Sequence, residues 1–73
     1  MRQYMVVVER EADGGYSVLV PDLPGCASMG DSYDEALRNI REAIACHLEG
    51  LRADGLPVPE PHTQVATVEI DAA

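Results

Sequence analysis

From Ser32 to Gly55 the sequence spells a single amphipathic helix with both ends marked. A short chain with one such helix must supply a second layer for its apolar face. Ser32-Tyr33-Asp34-Glu35 fits a capping box, in which Ser32 accepts from the Glu35 amide and Glu35 reaches back to the Ser32 amide. Asp34 and Glu35 also lie in the first turn, where the helix dipole favours anions. Leu37, Ile40, Ala43, Ile44, Leu48 and Leu51 follow at three- and four-residue spacing, with Ala36, Cys46 and His47 on the same face. Arg38, Arg41, Glu42, Glu49 and Arg52 fall largely on the opposite face, spaced for exposed ion pairs. The periodicity predicts an end near Ala53, with Gly55 as the left-handed stop. Gly50 costs about 1 kcal/mol inside a helix, and the sequence gives no reason for it beyond the close helix contact that a glycine permits.

The second layer is predicted to be a sheet. Tyr4-Met5-Val6-Val7-Val8 and Tyr16-Ser17-Val18-Leu19-Val20 are β-rich runs separated by a charged tract that closes on Asp13-Gly14-Gly15, which reads as a hairpin. Val20-Pro21-Asp22-Leu23-Pro24-Gly25-Cys26 then forms a stiff corner. Each proline fixes its own φ and pushes the preceding Val20 or Leu23 toward extended backbone, while Gly25 can take a positive φ. Cys26-Ala27-Ser28-Met29 gives a short third strand that Gly30 ends. After the helix, Leu56-Pro57-Val58-Pro59-Glu60-Pro61 is a rigid extended spacer. Thr63 to Ile70 resumes strand character, with Ala66, Val68 and Ile70 on one face and Val65, Thr67 and Glu69 on the other. The expected fold is α+β, ordered β-β-β-α-β, a small and mostly antiparallel sheet with one helix packed on one face, forming a single domain over 1–73.

At 73 residues a lone core is marginal, so the reading expects a homo-oligomer, a dimer or tetramer. Two cysteines without C-x-x-C spacing, Cys26 and Cys46, are expected as free, half-buried thiols in a reducing cytoplasm. Thirteen Asp and Glu against five Arg, with no Lys, leave a net charge of −8. Such a surface repels phosphate backbones and disfavours direct nucleic-acid binding, while a basic protein partner suits it. No apolar run approaches the roughly eighteen residues of a membrane span, so no membrane association is expected.

Catalytic chemistry finds little support. Cys46 and His47 are helix neighbours whose side chains diverge by about 100°, too far apart to clamp one metal unaided. His62 follows the prolines and reads as solvated, and His47 as a boundary residue. Asp22 is the strongest single candidate acid, held in what reads as an exposed rigid corner, but it has no companion carboxylates of the kind a two-metal nuclease needs. No catalytic residue, metal site or cofactor is assigned.

Asp13-Gly14-Gly15-Tyr16, Pro21-Asp22-Leu23-Pro24-Gly25-Cys26, Gly30-Asp31-Ser32, Glu35-Ala36 with Asn39 and Ala43, Asp54-Gly55 and Pro57-Val58-Pro59-Glu60-Pro61 together resemble the HicB antitoxin family. The resemblance covers nearly the whole length in order. It implies a reduced ribonuclease H-like fold and a partner: HicA, a small RNA-cleaving toxin that works through a histidine. Many members carry a second, C-terminal DNA-binding domain; the expectation here is the short stand-alone form without it. The function expected is that of an antitoxin covering a basic HicA-like toxin, and the alternatives are a residual metal-dependent nuclease or an orphan structural homo-oligomer. Charge and predicted exposure, rather than the resemblance, nominate Asp22, Leu23 and Pro24 at the corner and Asp31, Asp34 and Glu35 at the helix start as partner-binding residues.

Overall fold

A computed structural model of the chain describes residues 2–72. Strands β1 (Val7–Arg10), β2 (Tyr16–Leu19) and β3 (Ala27–Gly30) form an antiparallel sheet in the order β1-β2-β3, and helix α1 (Tyr33–Ala53) lies across one face. The α+β architecture follows from two periodicities meeting. Alternate residues of β2, with Val20 just beyond it, turn Val18 and Val20 inward, and the 3.6-residue repeat turns Ala36 and Ile40 down onto them. Leu23 and Cys26 from the corner complete the buried core, while Val6, Val8, Leu37, Ile44 and Leu48 pack around it half-buried. Tyr16 and Tyr33 meet edge to face across the helix start, with centroids 6.0 Å apart.

The β1–β2 connection is tied by its own backbone: the Gly14 N–H donates to the Glu11 carbonyl (3.0 Å) and the Glu11 N–H to the Gly15 carbonyl (2.7 Å). Asp13 accepts from the Gly15 amide at 2.9 Å, the local side-chain turn for which aspartate is suited. The corner, expected as a turn without regular pairing, is two successive β-turns. The Leu23 N–H donates to the Val20 carbonyl (3.1 Å) and the Cys26 N–H to the Leu23 carbonyl (3.0 Å). Proline stands second in both, and Gly25 at φ 84° takes the third place of the latter, as a type II turn requires.

Helix ends fall where the sequence marks them, with one change of partner. Ser32 accepts from the Glu35 amide (3.1 Å), but the Glu35 carboxylate reaches the Asp31 amide (2.9 Å) instead of the Ser32 amide. At the other end the Gly55 N–H donates to the Arg52 carbonyl and the Leu56 N–H to the Leu51 carbonyl, a Schellman closure with Gly55 at φ 69°. Gly50 approaches nothing: a Cβ there would meet no atom within 4 Å. The close approach is at Gly30, where a Cβ would stand 2.5 Å from the Ala36 nitrogen and 2.9 Å from the Glu35 carbonyl carbon. Gly30 therefore lets the helix start sit directly on β3, besides ending the strand. Cys26 is buried and Cys46 exposed, so the two free thiols are not alike as expected.

Sheet edges differ in their cover. The Val20 N–H donates to the Cys26 carbonyl directly opposite it (3.0 Å), and bonding alternates outward from that pair. The backbone groups of Val8 and Arg10 thus point off the β1 edge and those of Ala27 and Met29 off the β3 edge. On β3 the Met29 carbonyl accepts from the Asn39 side-chain amide at 2.7 Å.

The fourth strand expected over Thr63–Ile70 forms no ladder: among the described residues, 56–72 pair with no strand. Tyr4 donates its hydroxyl to the Pro59 carbonyl (2.6 Å), and Arg2 pairs with Glu60 (3.0 Å), which ties the proline spacer beside the start of the sheet. Over 64–72 the chain is exposed and outside any element. Its alternating pattern is that of a strand, but pattern alone cannot create the neighbouring edge a strand needs.

Candidate functional site

The nominated residues do not form one surface. Asp22, Leu23 and Pro24 lie at the corner end of β3, and Asp31, Asp34 and Glu35 lie past its other end. Four residues of strand separate the groups, on the order of 13 Å.

At the corner the expectation of exposure is corrected. Asp22 is 3% exposed and Leu23 0%; only Pro24 is open to solvent. Leu23 is apolar and falls between the two turns, so the corner folds it under as core. Asp22 is buried by the returning chain. One carboxylate oxygen accepts from the His62 amide (3.0 Å) and the Thr63 amide (3.1 Å), and the other accepts from the Thr63 hydroxyl and lies 3.2 Å from His62 Nε2. His62, expected as merely solvated, keeps its side chain 76% exposed yet joins this clasp. The Thr63 hydroxyl bond leads in holding the Asp22 carboxyl below its ordinary value; burial opposes it, and the two amides and the His62 ring add to the lowering. With both oxygens so engaged, Asp22 works as a fastener and not as an available acid. Nothing in a local reading of the corner could have found Thr63, some forty positions away.

At the opposite end the structure adds residues that the sequence reading left out. Glu11 and Asp13 from the β1–β2 connection join Asp31 and Glu35 around a shallow depression floored by Tyr16, Ser17 and Gly30. Glu11 accepts from the Ser17 hydroxyl at 2.6 Å, and Asp34 stands exposed on the first helical turn. The hairpin register, pairing Tyr16 with Gly30, is what carries the Asp13-Gly14 turn to the helix start. The result is an acidic rim at one end of the molecule. Beside it the sheet face away from α1 is open and partly apolar, with Val7, Leu19 and Met29 at 41%, 44% and 71% exposure.

Such a surface suits contact with a cationic macromolecule more than bond-making. Among the described residues no group of three His, Cys, Asp or Glu side chains is disposed to hold a metal ion, and no helix there is long and apolar enough to cross a membrane. Burial pushes the Cys26 thiol up from its ordinary range, with Cys46 adding to the effect, which keeps it protonated and unreactive.

Comparison with known proteins gives these features a family. The model of the HicB-like antitoxin of bacterial toxin-antitoxin systems matches residues 4–72. The chain belongs to the HicB-like antitoxin family. A UPF0150 protein of Synechocystis is 45% identical over 67 residues, covering 92% of this chain and 85% of its own. One from Helicobacter pylori is 46% identical, covering 88% and 89% respectively. Antitoxin HicB 1 of Photorhabdus laumondii is 34% identical over 81% of this chain, which spans 38% of that protein. The crystal structure of the N-terminal domain of the Burkholderia pseudomallei antitoxin HicB superposes with a TM-score of 0.68 at 37% identity, over 85% of this chain and 69% of that one. The α+β, HicB-like fold expected from the sequence is thus the one observed, save for its fourth strand, and the acidic rim is the feature that needs a function.

Proposed function

We propose that this HicB-like chain binds a basic, HicA-like RNA-cleaving toxin and covers its active site, as the antitoxin of a type II toxin-antitoxin pair. Membership of an antitoxin family carries the reading, and the net charge of −8 supports the choice of partner. A toxin surface that attracts RNA phosphates is cationic, and acids presented to it steer the encounter and exclude RNA by occupying the same field. Asp31 and Asp34 are the proposed contacts, with Glu35 orienting Asp31 through its amide. Pro24 is an exposed contact of the far corner, whereas Asp22 and Leu23 act from below by shaping that corner. No bond-making step is assigned to the chain, which acts in the cytoplasm beside the RNA its toxin attacks.

The test is co-purification with the product of the neighbouring small gene, followed by RNA cleavage with and without this chain. The expected result is a stable complex in which cleavage stops. Asp31→Lys with Asp34→Lys should slow association about tenfold or more at low salt and much less at high salt. Unchanged binding and salt dependence in that variant would remove the acidic rim from the interface, and an absent complex would remove the antitoxin reading itself.

A further inference from the structure

The segment after Thr63 leaves the body of the molecule as an unpaired strand. Val65, Val68 and Ile70 are 68%, 80% and 80% exposed. The chain has a radius of gyration of 14.5 Å and a longest extent of 52 Å, against a radius of roughly 11 Å for a compact domain of this length. It exposes 5837 Å², where a compact monomer of its mass would expose about 4,400 Å². The excess of about 1,400 Å² in each copy is enough that two copies hiding much of it would exceed a standard interface of roughly 1,600 Å².

The same molecule carries the matching vacancy. On the β1 side, backbone groups of Val8 and Arg10 point off the sheet unpaired by any strand, whereas the β3 edge is partly covered by Asn39. Between Tyr4 and α1 on that side runs a groove floored by Leu37, Ile40, Ile44 and Leu48 and rimmed by Arg2, Arg41 and Arg52. In a chain of net charge −8, three of the five cations gather at this one groove. Residues 66–71 alternate Ala66, Val68 and Ile70 with Thr67, Glu69 and Asp71. Laid beside β1, that segment would set its apolar side chains against the half-buried Val6, Val8 and Ile44 on the helix side and, because a strand alternates its faces, turn Thr67, Glu69 and Asp71 to the open face of the sheet.

We propose that residues 64–70 of one copy add as a strand to the free β1 edge of a second copy, over this arginine-rimmed groove, and that the exchange is reciprocal. Every copy holds both an unpaired strand and an unpaired edge, so the contact closes on itself as a two-fold dimer and leaves no chain end to propagate. The Asp22 clasp fixes His62 and Thr63 at the root of each arm. The exchange does not depend on any toxin.

Sedimentation of the full chain, with no toxin present, tests it. The wild type should run at twice 7.9 kDa, and the amides of 65–70 should be protected from hydrogen exchange in that species. Val68→Pro removes a ladder donor at a position that is 80% exposed in its own copy, and should weaken the dimer about tenfold or more with the helical circular dichroism unchanged. Higher salt should tighten the dimer by screening two copies of like charge. A monomeric wild type, protected 65–70 amides in a monomer, or a dimer indifferent to Val68→Pro would each overturn the exchange.

Discussion

Asp22 changes meaning between the sequence and the folded chain. Its carboxylate holds two backbone amides and a hydroxyl from the returning segment, and the loss of any donor is felt because the group is sealed from water. Thr63→Val keeps the shape and removes the hydroxyl, so it should cost about 1.5–3 kcal/mol, read from denaturant unfolding. The pH dependence follows from the lowered carboxyl. With a folded value below the ordinary 3.8, the contribution of Asp22 is fully present above that value and is lost as the pH falls through the folded one. Asp22→Asn should therefore melt well below wild type near neutrality, and the gap should close in strong acid. A gap that stayed constant across thermal melts from neutral to strongly acidic solution would show that the charge of Asp22 is not what holds the clasp.

Helix α1 and strand β3 are brought together by a missing side chain. At Gly30 the neighbours of an added Cβ are backbone atoms of Glu35 and Ala36, which cannot swing aside. Gly30→Ala should therefore lower stability by about 1–3 kcal/mol, as overpacking does. Gly50, exposed and open, should behave oppositely: Gly50→Ala should raise stability by up to about 1 kcal/mol through helix propensity. Paired unfolding curves of the two variants check both signs at once. The Ser32 cap was legible before the fold because its bond to the Glu35 amide spans three residues; the close contact of Gly30 was not, because it depends on where the helix lands.

At the scale of the molecule, net charge governs association in two directions. Toxin binding at the acidic rim should weaken as salt rises, since opposite charges are screened, whereas self-association through the residue 64–70 arm should strengthen. Titrating salt in the presence and absence of the toxin separates the two surfaces, which lie at different parts of the fold. Their independence can be checked further: Asp31→Lys with Asp34→Lys should leave the dimer intact, and Val68→Pro should leave the acidic rim able to bind.

Local chemistry sufficed for whatever was short in range. Helix bounds, the existence of three leading strands, the positive φ of Gly25 and the α+β class all rest on periodicities and caps that span a few residues, whereas β1, expected over Tyr4–Val8, runs from Val7 to Arg10; the order of the turn motifs was enough to suggest the family. What the chain could not announce by itself were pairings distant in sequence. Burial of Asp22 by Thr63, the meeting of Glu11 and Asp13 with Asp31, and the split of the nominated residues between the two ends of β3 arise only when register and packing bring remote segments together. The residues 63–70 state both halves of the rule: alternation made them a strand in character, and only pairing with a sheet edge, which they do not make within their own copy, can make them one in fact.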